Sequence, residues 1–278
     1  MKQVLVLFIS VLCMSFLGSC RTDTQRSLLI LHTNDTHSQI EPKADGTGGY
    51  ARRMGLIKKE REKNPNLLLV DAGDFCQGTP YFNFFHGRVE VEALNRMGYD
   101  AVTLGNHEFD NGIDTLAAIL QDAAFPVVCA NYDVTDTPLE GLVRPYVVLN
   151  KGDVRVGVFG LGVDPEGLIA MHNFLPLVYL DPLPIANNIA AQLKEEEGCD
   201  VVVCLSHLGT EGKMEGDICD KFIAANSRNI DVIIGGHTHK VYQNLYITDL
   251  DGKSVLLSQA GKSGAAVGKI TVALAEVE

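Results

Sequence analysis

The chain has 278 residues, of which 46% are hydrophobic and 21% charged, as expected for a globular protein with a substantial core. Its formal net charge of −12 argues against nucleic-acid binding, because phosphate backbones require clustered Lys and Arg. An anionic ligand would therefore need a local positive charge to bind to this negatively charged protein. A bound metal ion is one way to make the electrostatic potential at a site positive.

The first twenty residues have the features of an export signal. Lys2 precedes an apolar run over residues 4–17, which is shorter than the roughly 20 residues of a transmembrane helix. The segment Leu17-Gly18-Ser19-Cys20 resembles the lipobox of bacterial lipoproteins. We therefore expect a signal peptide over residues 1–20, lipidation of Cys20 and a polar tether over residues 21–27. Ordinary secretion, with Cys20 incidental, is the alternative.

From residue 28 onwards, short β-branched runs alternate with helical patterns, and the chain ends in a series of strands. This order predicts an α/β protein with mixed sheets covered by helices, and one domain over residues 28–278. The predicted strands are 28–33, 67–71, 101–104, 126–130, 154–161, 201–206, 231–235, 241–247, 254–259 and 268–274. The predicted helices are 50–63, 89–97, 113–122, about 184–197 and about 217–227.

The cysteines do not form a disulfide framework. Five of the seven lie beyond the anchor segment, and they are odd in number and widely spaced. Cys129 and Cys204 lie in apolar runs, which favours a role as small core residues. No pair has zinc-finger spacing.

Polar residues cluster where five of the predicted strands end, which is where α/β proteins place ligand sites. Five of the eight histidines fall in these clusters. The other three, His32, His86 and His172, have no acidic or amide companions and are interpreted as structural. The clustered residues are Asp35, His37, Asp74, Asn106, His107, His207, His237 and His239.

The spacing within these clusters is compatible with metal binding. If the backbone is extended, Asp35 and His37 point to the same side, as do His237 and His239. Glycines 73, 105, 235 and 236 suit close approach of the backbone to a ligand. Each polar residue alone has an ordinary reading as a turn, cap or loop residue, but their joint occurrence favours a metal site.

The chain resembles the calcineurin-like metallophosphoesterases, whose five motifs occur here in order. The likeness runs from about residue 28 to the C-terminus, and segments 48–53, 71–80 and 105–110 resemble the catalytic domain of bacterial 5′-nucleotidases. The resemblance implies a four-layer α/β/β/α sandwich of two mixed sheets. The matching motifs are Asp35-Thr36-His37, Gly73-Asp74, Gly105-Asn106-His107-Glu108, Ser206-His207 and Gly236-His237-Thr238-His239.

The resemblance also implies a centre of two divalent ions that share Asp74. One ion would bind Asp35, His37 and His239, and the other Asn106, His207 and His237. Imidazole and oxygen ligands without thiolate favour Zn, Mn, Fe or Co. Such paired ions activate water for attack on a phosphate ester. By the same resemblance, His107 contacts phosphate and assists the departing oxygen, while Asp110 orients it.

Two departures from the 5′-nucleotidase pattern limit the assignment of a substrate. Bacterial enzymes of this group carry Gln at the position of His239, so metal preference can differ. They also have a C-terminal substrate domain, which we expect to be absent here. A separate nucleotide-binding polypeptide would supply it, or the chain would hydrolyse simpler or cyclic esters alone. A non-catalytic metal- or partner-binding lipoprotein is the alternative from another class.

Overall fold

Three hydrophobic cores separate four layers of secondary structure in the computed structural model, which describes residues 26–212, 214 and 216–274. The strands alternate with helices and then follow one another at the end of the chain. In chain order the strands are β1 (Ser27–Thr33), β2 (Leu68–Asp71), β3 (Ala101–Val102), β4 (Val127–Val128), β5 (Tyr132–Asp133), β6 (Val143–Arg144), β7 (Tyr146–Lys151), β8 (Val154–Leu161), β9 (Val178–Tyr179), β10 (Val201–Ser206), β11 (Val232–Gly235), β12 (Val241–Thr248), β13 (Ser254–Ala260) and β14 (Gly268–Ala273).

The helices fall between these strands. A 3₁₀ turn, His107–Phe109, follows β3, and a π-helical turn, Gln192–Glu196, ends the helix before β10. The α-helices are α1 (Tyr50–Lys63), α2 (Pro80–Phe85), α3 (Arg88–Met97), α4 (Ile113–Leu120), α5 (Met171–Phe174), α6 (Pro182–Ala191) and α7 (Asp220–Asn226).

Both large sheets are mixed. The first has the order β14-β1-β2-β3-β4-β6 and is parallel except for β14, which pairs antiparallel with β1. The second has the order β12-β13-β11-β10-β8-β7, with antiparallel pairs at both edges and parallel strands between them. In each sheet the parallel strands therefore direct their carboxyl ends to one edge.

The cores define the layers. Ile30 and Val70 of the first sheet pack with Val203 and Ile234 of the second in a core between the sheets. Another core joins the first sheet to α1, α3 and α4, and a third joins the second sheet to α6 and α7. Strands such as β10 are buried along their whole length, because both faces of the sheet are covered. The predicted four-layer α/β/β/α class is confirmed.

Most predicted elements are present, and several have the predicted bounds, including α1, β8 and β10. The helix predicted near residue 217 begins at Asp220, and the one predicted near 184 begins at Pro182, where the Asp181 side chain accepts from Leu183 N at 3.1 Å. The sequence prediction omitted several elements, most of them short. These are α2, α5, β5, β6, β7 and β9.

The N-terminal predictions fall mostly outside the described residues. Cys20, the signal peptide and residues 21–25 lie there. Ser27 already belongs to β1, and the Arg26 guanidinium pairs with Asp153 at 2.9 Å, so the fold includes the last two residues of the predicted tether. Among the described residues, no helix has the length and apolar character needed to cross a bilayer.

The five cysteines of the described residues are unpaired and buried, as the sequence predicted for Cys129 and Cys204. Cys204 lies on β10 in the core between the second sheet and its helices. Cys129 lies in the core between the first sheet and its helices.

Candidate metal centre

The predicted site residues come together where the carboxyl ends of the two sheets meet. From the first sheet, Asp35 and His37 follow β1, Asp74 follows β2, and Asn106 follows β3. From the second sheet, His207 follows β10, whereas His237 and His239 follow β11. The candidate ligands thus reach one place from five separate strand ends.

The first group contains two imidazoles and two carboxylates. The Nε2 atoms of His37 and His239 lie 2.9 Å apart. Oδ1 of Asp35 is 3.4 Å from Nε2 of His239 and 3.9 Å from Nε2 of His37. Each residue offers one ligand atom, and these atoms all lie within 4.8 Å of one another; the members are Asp35, His37, Asp74 and His239.

The second group shares Asp74 with the first. Nε2 of His207 lies 3.0 Å from Oδ2 of Asp74, and the ligand atoms of Asp74, His207 and His237 lie within 4.8 Å of one another. Asn106 joins this group because its Oδ1 is 3.1 Å from Nδ1 of His237. Asp74 is therefore the carboxylate placed to connect two cation sites.

The donor set fits a bound cation. Nδ1 of His207 lies 2.7 Å from the carbonyl oxygen of Ala72, which assigns the proton to Nδ1 and leaves the Nε2 lone pair facing Asp74. A lone pair and a carboxylate oxygen at this distance repel unless positive charge lies between them. Burial lowers the pKa of His207, but the Asp74 carboxylate outweighs it and raises this pKa to about 10. The position favours a cation, and a divalent metal supplies one.

Two imidazoles of the candidate centre, His37 and His237, have lowered pKa values, which favours the neutral form that a metal ligand must adopt. Burial lowers the pKa of His37, although Asp74 and Asp35 oppose the shift. Burial, together with the charge of His207, lowers the pKa of His237 to about 4. Neutral imidazole nitrogen is available for coordination at ordinary pH in both residues.

The expectation of extended backbone at the ligand pairs was wrong. Asp35 and His37 have φ of 49° and 45°, and His237 and His239 have φ of 68° and 56°. Asp74 has φ of 56°. Left-handed backbone is uncommon for residues other than glycine, although Asp, Asn and His adopt it more often than most. Tight loops, and not strand alternation, therefore direct these side chains inward.

A turn, and not extended backbone, also places His107. Asn106 has φ of −77° and ψ of −30°, so the chain turns directly into a 3₁₀ helix that carries His107 beside the ligands. The His107 and His37 rings are in edge contact with their centroids 5.3 Å apart. Nδ1 of His107 lies 2.8 Å from Oδ2 of Asp110, as expected for the predicted pair. The hydrogen bond to Asp110 raises the pKa of His107.

Three buried residues that fix the ligand loops were not identified as functional from the sequence. Asn34 donates to Oδ2 of Asp35 at 2.6 Å. Gln259 donates to the carbonyl oxygen of Gly236 at 2.6 Å and accepts from the Thr238 hydroxyl at 3.1 Å. Glu108 accepts three backbone N–H groups of the loops after β2 and β3. Asn34 and Glu108 are next to predicted site residues in the sequence, and this proximity could have indicated their role. Gln259 is far in sequence from every predicted site residue, so no local pattern pointed to it.

Three of the four predicted glycines, Gly73, Gly105 and Gly236, leave room for candidate ligands, whereas a Cβ at Gly235 would meet Asp220. A Cβ at Gly105 would overlap Oδ1 of Asp74 and lie 2.7 Å from Nε2 of His207. A Cβ at Gly236 would lie 2.6 Å from Nδ1 of His207. Gly73 has φ of 88°, and a Cβ there would lie 2.9 Å from the same nitrogen.

An open cavity of about 680 Å³ adjoins the candidate centre at His237 and Thr238. Its wall combines the aromatic ring of Tyr179 with the apolar side chains of Leu208 and Ile218. Several carboxylates also line it, namely Asp164, Asp181, Glu211 and Asp217. The space is large enough for the organic part of a small-molecule ester.

The chain belongs to the calcineurin-like phosphoesterase family, whose model matches residues 28–241. The family uses divalent metals, and the two ligand groups supply candidate positions for them.

Its relatives include phosphoesterases and nucleotidases. It is 30% identical over 281 residues to the trifunctional nucleotide phosphoesterase YfkN of Bacillus subtilis, covering 90% of this chain and 18% of that protein. It is 33% identical over 273 residues to rat 5′-nucleotidase, covering 88% of this chain and 46% of the enzyme. The crystal structure of a Thermus thermophilus 5′-nucleotidase precursor superimposes with a TM-score of 0.78 and 32% identity, covering 90% of this chain and 55% of that one. The chain thus spans about half or less of the length of these proteins.

Proposed function

We propose that this chain is a metal-dependent phosphoric ester hydrolase with two divalent ions, acting on nucleotides as a 5′-nucleotidase-type catalytic unit. The position of Asp74 carries the proposal, because its carboxylate belongs to both candidate ligand groups. One ion is assigned to the first group, with Asp35, His37 and His239. The other is assigned to Asn106, His207 and His237. Ligands of mixed nitrogen and oxygen type without thiolate favour Zn, Mn, Fe or Co.

The charges of the ligands support an anionic substrate. Two divalent ions bring four positive charges, and Asp35 and Asp74 neutralise two of them, because Asn and neutral His add none. Two positive charges remain at a site in a chain whose net charge is −12. When bound, a pair of ions activates water and stabilises charge on the phosphoryl oxygens.

The chain's own acid is assigned to His107. The carboxylate of Asp110, 2.8 Å from Nδ1, holds the proton on that nitrogen and stabilises the imidazolium form. Nε2 of His107 is then the atom that gives a proton to the departing oxygen of the ester. Asp110 is in turn fixed by Asn173, whose side-chain amide donates to the Asp110 carbonyl oxygen at 2.9 Å.

Nucleotides are proposed as the substrate class because the relatives are named for nucleotide hydrolysis. The cavity beside His237 has space for the organic part of such a molecule. The chain spans 46% of the length of the rat enzyme. We propose that a separate nucleotide-binding polypeptide acts together with this chain, because segments 48–53, 71–80 and 105–110 resemble the catalytic domain of 5′-nucleotidases. Full AMP hydrolysis by the purified chain, with no partner retained from native membranes, would contradict this.

Export and lipid anchoring at Cys20 complete the proposal, and the lipobox-like Leu17-Gly18-Ser19-Cys20 supports them. Labelling of cells with radioactive palmitate tests the anchor. Incorporation that disappears in a Cys20→Ser variant is expected, whereas equal labelling of both proteins would exclude it.

The proposed activity is tested with the purified chain, freed of metal and reloaded with Mn, Zn or Co. The substrates are AMP, UDP-glucose, 2′,3′-cyclic AMP and a bis-aryl phosphate, which separate monoesterase, pyrophosphatase and diesterase activities. An Asp74→Asn variant is the matched control, because it retains the shape of the side chain but removes its charge. Hydrolysis by the wild type that the variant lacks is expected. Metal binding without hydrolysis of any substrate would favour a non-catalytic metal-binding protein.

A further inference from the structure

The side chain of Glu108 lies behind the candidate metal centre and is 2% exposed. Its Oε2 accepts backbone N–H groups from Asp74 at 2.9 Å and from Gly105 at 2.6 Å. Its Oε1 accepts from the backbone N–H of Cys76 at 2.9 Å. One carboxylate thus satisfies three buried backbone donors.

These donors belong to two loops that each carry a candidate ligand. The loop after β2 contains Asp74, and the loop after β3 contains Gly105 and Asn106. Oε2 of Glu108 bonds to both loops and Oε1 bonds to the first, so the position of this carboxylate sets how far Asp74 lies from Asn106. The backbone N–H of His107 donates to Oδ1 of Asp74 at 2.9 Å and completes the connection.

The conformation of Asp74 makes this support necessary. Its φ of 56° is left-handed, and such backbone persists where the surrounding structure holds it. Glu108 accepts the backbone N–H of Asp74 itself and that of Cys76, two residues further along the chain. Without an acceptor, these buried N–H groups would be unsatisfied, and the loop would change conformation to reach water.

A carboxylate is the side chain that suits this position, because both of its oxygens accept and neither donates. Glutamine has the same shape, but its amide would present N–H groups to backbone N–H groups. Aspartate retains both oxygens but is shorter by one methylene group and does not span the two loops equally well.

We propose that Glu108 is a positioning residue of the metal centre, holding Asp74 and Asn106 at the separation that two adjacent ions require. The proposal rests on the proposed function, since it assigns ligand roles to both residues. Glu108 acts through the backbone, unlike Asp110 of the same turn, whose carboxylate bonds to the His107 ring. Two carboxylates close together in the chain therefore have different roles. Glu108 supports the loops that carry the metal ligands, and Asp110 bonds to the ring of His107.

The test compares metal binding by the full chain with Glu108→Gln and Glu108→Asp. Glu92→Gln is the matched control, because Glu92 is exposed on α3 and pairs with Arg96 away from the loops. Isothermal titration of the metal-free proteins with Mn²⁺ gives affinity and stoichiometry, and electron paramagnetic resonance detects coupling between two adjacent Mn²⁺ ions. Thermal unfolding of the metal-free proteins measures any loss of fold.

We expect Glu108→Gln to weaken Mn²⁺ binding by about 10- to 100-fold, the usual effect of removing a residue that orients metal ligands. The coupled signal should weaken, and excess Mn²⁺ should restore kcat with little change in KM. Glu108→Asp should fall between the wild type and Glu108→Gln.

Wild-type Mn²⁺ affinity and coupling in both Glu108 variants, with a lower unfolding temperature alone, would show a merely structural residue and overturn the proposal. If Glu108→Gln does not fold, the same criteria apply to Glu108→Asp, which retains both carboxyl oxygens. If Glu108→Asp also fails to fold, the residue is structural and the proposal is wrong. Absence of Mn²⁺ binding by the wild-type chain would instead contradict the two-metal function itself.

Discussion

Nδ1 of His107 lies 2.8 Å from Oδ2 of Asp110, three residues along the same 3₁₀ turn. The hydrogen bond raises the pKa of His107, even though burial acts in the opposite direction. The backbone N–H of the same histidine donates to Asp74. The side chain and the main chain of His107 therefore serve different parts of the site, and mutations can separate them.

His107→Ala should lower kcat by about 10²–10⁴-fold, the usual range for loss of a general acid or base. Metal content should be unchanged, because the backbone N–H that bonds to Asp74 remains. Steady-state kinetics and metal analysis of the purified variant measure both. His172→Ala, which removes an exposed histidine on α5, is the control. Loss of metal in His107→Ala would indicate that His107 is a metal ligand and not the general acid.

Asp110→Asn should shift the alkaline side of the pH–kcat profile to lower pH. Because Asp110 raises the pKa of His107, the wild-type acid stays protonated to a higher pH. In the variant the proton is lost earlier, so kcat should fall more at about pH 8 than at about pH 6. The profile is measured at saturating metal. An unchanged alkaline limb, with kcat reduced equally at all pH values, would mean that Asp110 orients His107 without tuning it.

Gly105→Ala should abolish or strongly weaken metal binding. The new methyl group would overlap Oδ1 of Asp74 and crowd Nε2 of His207, so the shared carboxylate must move. Gly55→Ala is the control, because a Cβ at this helical position meets nothing within 4 Å. Titration of both metal-free variants with Mn²⁺ checks the prediction, and equal affinities would show that the loops relax around the methyl group.

Acid should destabilise the metal-free protein partly through His32. This histidine is buried on β1 with Nε2 2.9 Å from the Ser258 hydroxyl, and burial lowers its pKa from 6.5 to about 4. Between pH 6.5 and pH 4, His32 binds a proton in the unfolded chain but not in the folded chain. The contribution of His32 to the free energy of unfolding should therefore be fully present above pH 6.5. Between pH 6.5 and pH 4 it should fall by about 1.4 kcal/mol per pH unit.

Urea unfolding of the wild type and His32→Gln across this pH range, with a chelator present, measures the effect. His237 also has a pKa lowered to about 4, so the wild-type slope contains more than one group, and the difference between the two proteins isolates His32. Identical slopes would exclude His32 as an acid-sensitive group.

The sequence predicted mixed sheets covered by helices because strands alternate with helices and because buried strands such as β10 are apolar on both faces. The four-layer arrangement was implied by the resemblance to the family. Short strands such as β6 give too few residues to establish a period, and β7, which was omitted, is only partly buried along its length. Position at a strand end was sufficient to bring the candidate ligands together. The local geometry was not predictable, because alternation assumes extended backbone, whereas Asp35 and His37 are left-handed.

The residues that support the ligands are harder to recognise from sequence. Gln259 lies on β13, yet its amide bonds to the Gly236 carbonyl in the loop after β11. Such a contact depends on the pairing of β11 with β13, and nothing in the local pattern around Gln259 specifies its partner. Glu108 bonds to Cys76, 32 residues earlier, for a similar reason.

The candidate ligands come from both sheets, with Asp35, His37, Asp74 and Asn106 after strands of one and His207, His237 and His239 after strands of the other. Ions held there would fasten the two halves of the sandwich to each other. Binding to the folded chain alone stabilises it by about 2.7 kcal/mol when free metal is 100 times its dissociation constant. Metal supply would then govern how long the chain survives heat and proteases, as well as how fast it turns over.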